Sequence, residues 1–232
     1  MTTPARESLG RTPLNREAVL DAAIALADAE GIGALTMRRL AGELGVEAMT
    51  LYYHVANKDE ILSGIVDRVI GEFELPDPNA PWRAALRRTA VSAHDVLLRH
   101  RWAASLMLSP GTVSDARLRY MEAVLRTLRG AGLSPTMTDR AYHAYEAHIS
   151  GFTLWQVQMD LDPETLPDLA ERFKASLDPT VFPYLIEHIE QHFDERPPDD
   201  EGAFAFGLDL LLEGLERILA TSLRESGATS GG

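Results

Sequence analysis

Apolar positions recur at three- and four-residue spacing along most of this chain, the period of helices with one buried face. Val19, Ala22, Ala23, Leu26 and Ala27 form one stripe, with Asn15 ahead of it as a cap and Gly31 and Gly33 closing it. Met37, Leu40, Ala41 and Leu44 form a second. Thr36 precedes that stripe and can accept a free N–H of the first turn, and Gly45 follows it with access to positive φ at no Cβ cost. Val46 is placed to plug the angle before a short third helix, expected over 47–53. Asn57-Lys-Asp-Glu60 is the next start signal, a cap with a carboxylate three residues on, and Ile61, Leu62, Ile65, Val66 and Val69 supply the stripe of a fourth helix.

Beyond the Pro76-Asp-Pro-Asn-Ala-Pro81 loop the same periodicity predicts helices over 81–101, 103–108, 113–130, 136–159, 164–175, 180–193 and 202–224. Pro110-Gly111, Gly132, Pro135, Pro163, Pro179 and Pro197-Pro198 separate them. No strand-like alternation of useful length interrupts the pattern, so the expected fold is all-α. It divides into an N-terminal three-helix helix-turn-helix domain with its following helix, 14–74, and a larger α-helical domain, 80–225. Residues 1–13 and 226–232 are polar or small and are expected to be disordered.

Composition narrows the setting. The chain has 232 residues and no Cys, which excludes disulfides and thiolate metal sites and suits a reducing cytoplasm. No apolar run resembles a signal peptide or a membrane span. Net charge is −13, which at first argues against a nucleic-acid partner. Residues 160–213 carry 15 acidic and 3 basic side chains, however, leaving the remainder close to neutral. Even so, residues 1–75 hold 7 basic and 12 acidic groups, so any phosphate grip must come from a few placed groups: Arg11, Arg16, Arg38, Tyr52, His54, Lys58 and helix N-termini.

Helix–glycine–helix corners are common; the composition of the third helix is what points to DNA. Ala48, Met49 and Thr50 at its start are small or flexible enough for close approach to base edges, and Tyr52, Tyr53, His54 and Lys58 can donate to phosphate. Packing in the core is the competing reading for Tyr52 and Tyr53, and for Leu51 it is the preferred one. The run Thr36, Arg38, Leu40, Ala41, Leu44, Gly45, Val46, Glu47, Thr50, Leu51, Tyr52, His54, Val55, Asn57 and Lys58 resembles the DNA-binding domain of the tetracycline-repressor (TetR) family of bacterial regulators. Residues 201–217, with Trp82, His100-Arg101 and Phe152-Thr153-Leu154, extend the resemblance over nearly the whole chain. It implies that Thr36, Arg38, Ala48, Met49, Thr50, Tyr52, Tyr53, His54 and Lys58 face the operator. Ala48-Met49 departs from the Gln-Pro pair of the founding repressor, which implies a different operator sequence.

The larger domain offers His94, His100, Trp102, Met107, Met121, Tyr142, Tyr145, His148, Phe152 and Trp155 as possible lining for an apolar effector pocket. Core or interface packing competes at each of them. Ile149 and Phe152, with Phe204, Leu208, Leu211, Leu212 and Leu215, lie on two helices too apolar for a monomer surface, and the resemblance makes these the dimer interface. Physics asks for the same: a two-fold operator needs two recognition helices about 34–36 Å apart. His188 and His192 could chelate from one helix face, but no matching second motif exists, so no metal or other cofactor is expected. Where the founding repressor presents His to drug-bound magnesium this chain has Met107, so the expected effector is a small organic molecule.

The resulting expectation is a cytoplasmic, homodimeric, ligand-responsive transcription factor, a repressor that leaves a palindromic operator when its effector binds. Asn57 and Lys58 would fasten the fourth helix to the DNA backbone while the Val69–Phe73 end met the pocket. An interaction protein using the same fold without DNA is the alternative. An α-helical enzyme comes last, for want of a nucleophile–base pair or convergent carboxylates.

Overall fold

The structure is a computed structural model and describes residues 14–107, 114–159, 166–193 and 200–229. Among them are eleven α-helices and no strand: α1 (Arg16–Glu30), α2 (Met37–Leu44), α3 (Ala48–Leu51), α4 (Lys58–Gly71), α5 (Trp82–Arg99), α6 (Ala103–Met107), α7 (Asp115–Gly130), α8 (Pro135–Gln158), α9 (Leu166–Ala175), α10 (Pro183–Phe193) and α11 (Asp200–Thr229). The all-α expectation holds. Residues 1–13 and 230–232 lie outside the described residues, as does Arg11. Helix α11 runs to Thr229, beyond its expected end, and takes in part of the tail read as disordered.

The chain forms two compact units. The first combines residues up to Glu72 with Arg99–Arg119, so α6 and the start of α7 group with the helix-turn-helix segment rather than with the C-terminal helices. The second comprises Phe73–Leu98 and the residues from Tyr120 onward.

Capping residues set the ends of the first unit's helices. Asn15 accepts from Ala18 N–H at 2.8 Å, Thr36 from Arg39 N–H at 3.1 Å and Asn57 from Glu60 N–H at 2.8 Å. Glu60 reaches back past its cap to the Ala56 N–H at 2.6 Å and also pairs with Arg16, and these two contacts hold its carboxyl below the usual range. Gly45 stops α2 in the left-handed conformation (φ 64°). The Val46 N–H then bonds Ala41 C=O and the Gly45 N–H bonds Gly42 C=O, the double bond of a Schellman ending. Val19, Leu20, Leu26, Leu35, Leu40, Leu51, Ile61, Ile65 and Val69 are buried beneath these turns. Gly64 lets α1 and α4 approach closely: a Cβ there would stand 2.8 Å from Leu20 Cδ2.

Carboxylates tie Arg99, His100, Trp102 and Ala116 to this unit. Asp28 on α1 accepts the Trp102 indole N–H at 2.6 Å and lies 2.9 Å from His100 Nδ1. Glu72 meets Arg99 at 2.8 Å and His100 Nε2 at 3.3 Å. Asp67 on α4 accepts the Ala116 N–H at 2.8 Å in the first turn of α7, where a helix presents unsatisfied donors.

The second unit is built around α5, α7, α8 and α11. Buried Tyr145 of α8 donates to the Leu86 carbonyl of α5 at 2.7 Å. On the outside, Arg83 pairs with Glu213 and Glu216, and Arg87 with Asp209, linking α5 to α11. Helices α9 and α10 pack on each other.

Two expectations need correction. The third helix ends at Leu51 rather than near Tyr53, because the chain tightens into turns there, with Tyr53 N–H bonding Thr50 C=O and His54 N–H bonding Leu51 C=O. Five of the residues expected at a dimer interface, Ile149, Phe204, Leu208, Leu212 and Leu215, are buried within their own subunit and cannot offer surface to a partner. Among the described side chains of α11, the large apolar ones that stand exposed are Phe206, Leu210 and Ile218; Phe206 and Leu210 lie opposite the Phe204–Leu208–Leu212–Leu215 stripe, and Ile218 flanks it.

Candidate functional site

Helix α3 is pinned from behind. Leu51 is fully buried and Val55, just after the helix, nearly so, which fixes the rotation of the short helix and turns its other residues outward. Met49 is 71% exposed, Tyr52 48% and Tyr53 86%; Ala48, Thr50 and His54 are half-buried. The core reading of the two tyrosines therefore fails, while that of Leu51 holds. Met49 on α3 and the two tyrosines that follow the helix form one exposed group of apolar side chains.

Around this helix the charges are sorted. Arg39 is engaged by Glu30 and Glu43, Arg16 by Glu60, and Arg68 by Glu17 and Asp21. The Arg39 hydrogen bond holds the Glu30 carboxyl below its ordinary value. Arg38 and Lys58 are exposed and have no ion pair among the described residues. Arg38 projects from α2, while Lys58 is the first residue of α4, directly after the Asn57 cap. Thr36 is exposed, but its hydroxyl oxygen already serves as the α2 cap.

The ten residues read as pocket lining do not form one group. His100, Trp102 and Met107 belong to the first unit, where His100 and Trp102 are engaged by Asp28. The other seven belong to the second. There His94, on α5, is buried and stacks on Phe204 at 4.0 Å between ring centres with planes 4° apart. Its Nδ1 lies 2.7 Å from the Thr153 hydroxyl, which itself donates to the Ile149 carbonyl at 2.6 Å. The hydroxyl proton is thus committed, so Nδ1 is the protonated nitrogen of a neutral ring. Burial, reinforced by nearby His148, lowers the His94 pKa to about 4. His148 bonds the Phe204 carbonyl through Nε2 at 2.9 Å and stacks on the same phenyl ring. Phe152 lies edge-on to Phe204 and touches Trp155, which is half exposed. Tyr145 and Tyr120 are buried, and that burial raises both phenols well above their ordinary value; Tyr120 donates to Glu146 at 2.7 Å. Met121 and Tyr142 are half-buried.

Sequence reading missed Thr153 and Phe204 as partners of the two histidines, along with the hydroxyls of Thr89 and Thr138. Those hydroxyls are buried without a hydrogen-bond partner among the described residues.

No helix among the described residues is long and apolar enough to cross a membrane. Residues 19–65 match the sequence profile of the bacterial regulatory proteins of the tetR family, and residues 75–219 that of the tetracyclin repressor-like C-terminal domain. The class D tetracycline repressor of Escherichia coli is 37% identical, over 91% of this chain and 93% of its own. The transcriptional repressor DrrR1 of Streptomyces coeruleorubidus is 32% identical, over 97% of this chain and 86% of its own. Among solved structures, ligand-free ActR from Streptomyces coelicolor superposes with a TM-score of 0.75 at 27% identity, covering 91% of this chain and 99% of its own. ActR bound to actinorhodin gives 0.74 at 28%, over 90% and 99%. These relatives are transcriptional regulators and not enzymes. Both matched profiles and the identity to these relatives show that the chain belongs to the tetracycline-repressor (TetR) family of bacterial regulatory proteins.

Proposed function

We propose that this protein is a cytoplasmic, homodimeric repressor that releases a two-fold operator when a planar aromatic effector binds in its second unit. The observation that carries the DNA half is the outward set of Arg38, Met49, Thr50, Tyr52, Tyr53, His54 and Lys58 on a helix pair fixed from behind. Arg38 is suited to a guanine edge, and Tyr52, His54 and Lys58 to phosphate. Ala48 and Thr36 complete the face.

The effector half rests on His94, His148 and Phe152 around Phe204. Their ring faces and edges are suited to stacking against a flat ligand ring. That ActR is seen with actinorhodin supports the same class. The second copy docks on the apolar side chains that α8 and α11 leave exposed, Trp155, Phe206, Leu210 and Ile218, with half-buried Leu211 beside them.

Selection of random duplexes by the purified protein tests the reading. It should yield a palindrome, and Arg38→Ala and Tyr52→Ala should each weaken binding to it by about tenfold or more. If both variants bind as the wild type does, the proposed face is wrong. Addition of actinorhodin, as a probe of the aromatic class, should release the duplex; retention at saturating probe would overturn that class.

A further inference from the structure

We propose that Met49, backed by Ala48, reads the C5-methyl group of a thymine in each operator half-site. The inference rests on the DNA-binding reading above and adds the chemistry of one base position. Position 49 lies in the first turn of α3, on the face that Leu51 and Val55 turn outward, and is 71% exposed. Neither Ala48 nor Met49 carries a group able to pair with a purine edge. Glu47, the residue before them, forms no capping bond to the helix and brings a negative charge to the same end. The hydrogen-bonding base contacts are left to Arg38 on α2 and Thr50, so discrimination at the base pairs facing 48 and 49 must be apolar.

In the major groove the one apolar feature that distinguishes a base is the thymine methyl. A thioether side chain with three rotatable bonds can lay its terminal methyl against it. Readout of this kind also suits a face with few cations, since it supplies selectivity without adding phosphate charge contacts.

The experiment uses the full chain and the palindrome recovered from random duplexes. Each thymine is replaced, symmetrically in both half-sites, by deoxyuridine, which deletes the methyl and keeps every hydrogen-bonding group. One buried methyl corresponds to about fourfold in affinity, so a symmetric replacement at the right position should cost about fifteenfold in the dimer. Met49→Ala should weaken binding to the thymine duplex by a similar factor and be nearly indifferent to the uracil exchange. Thermal unfolding of Met49→Ala should match the wild type, because the side chain packs in no core.

If no uracil exchange weakens the wild type, or if Met49→Ala remains as sensitive to it as the wild type, the methyl contact is overturned. Failure to enrich any duplex would instead remove the DNA-binding reading itself. The two failures are therefore distinguishable.

Discussion

Asp28 and Trp102 meet at 2.6 Å across 74 positions of sequence, the buried indole N–H donating to a carboxylate that also faces His100. This contact ties His100 and Trp102 into the unit that contains α2 and α3. It also accounts for part of that unit's unusual acidity, since Asp28, Asp67 and Glu72 are all engaged in holding this segment. Asp28→Ala leaves the indole donor buried without an acceptor and should cost about 1–3 kcal/mol of stability. Asp28→Asn keeps a carbonyl acceptor and should cost less. Urea unfolding of the two variants checks this; equal, negligible losses would show that the bond contributes nothing.

Gly207 carries a second structural constraint. A Cβ there would stand 2.6 Å from His148 Cε1, and that ring is held by its bond to the Phe204 carbonyl and by stacking. In an unhindered helix interior, glycine to alanine stabilises by about 1 kcal/mol. Here Gly207→Ala should destabilise by about 1–2 kcal/mol, the loss of a displaced hydrogen bond and stack. In a His148→Ala background the same substitution should become stabilising. A double-mutant cycle read by denaturant midpoint measures that reversal of sign, and additivity would rule out the clash.

Buried His94 predicts acid sensitivity. Its folded-state pKa of about 4 lies below the unfolded value of about 6.5, so between these limits the unfolded chain takes up the proton more readily. The contribution is therefore complete above about pH 6.5 and declines as pH falls toward 4. Between pH 7 and pH 5 this amounts to about 2 kcal/mol. His94→Gln, which keeps an amide donor for Thr153, should lose less stability over the same interval than the wild type does. Parallel pH profiles of unfolding would refute the assignment.

Much of the first unit could be read from local chemistry alone. Asn15, Thr36, Gly45 and Asn57 each act within four residues of their own position, and the structure uses them as caps and stops. Leu51 was legible as core because it interrupts a polar face. The early end of α3 was not, since Tyr52 keeps helical dihedrals and only the hydrogen-bond pattern changes after Leu51. Contacts between distant positions left no local trace: Asp28 with Trp102, His94 with Thr153, and the notch at Gly207. The α11 stripe shows the same limit. Its two apolar faces were visible in the sequence, but which face was inside depended on α5 and α8. Phe204 and Leu208 proved to be core, and Phe206 and Leu210 surface.

The proposed DNA-reading face carries few free cations, and this sets the salt dependence expected of it. Arg16 and Arg39 are held by acidic partners, which leaves Arg38 and Lys58 without ion pairs among the described residues. Each cation that displaces a counterion from duplex phosphate adds about −0.9 to the slope of log K against log salt. Lys58→Ala, present twice in the dimer, should make that slope shallower by about 1.8 and weaken all sequences alike. Arg38→Ala should instead relax base preference. Random duplex should show no shift at nanomolar protein and physiological salt. An unchanged slope for Lys58→Ala would mean that its ammonium does not reach the backbone, and firm binding of random duplex would mean that the acidic unit carries a phosphate grip beyond these two side chains.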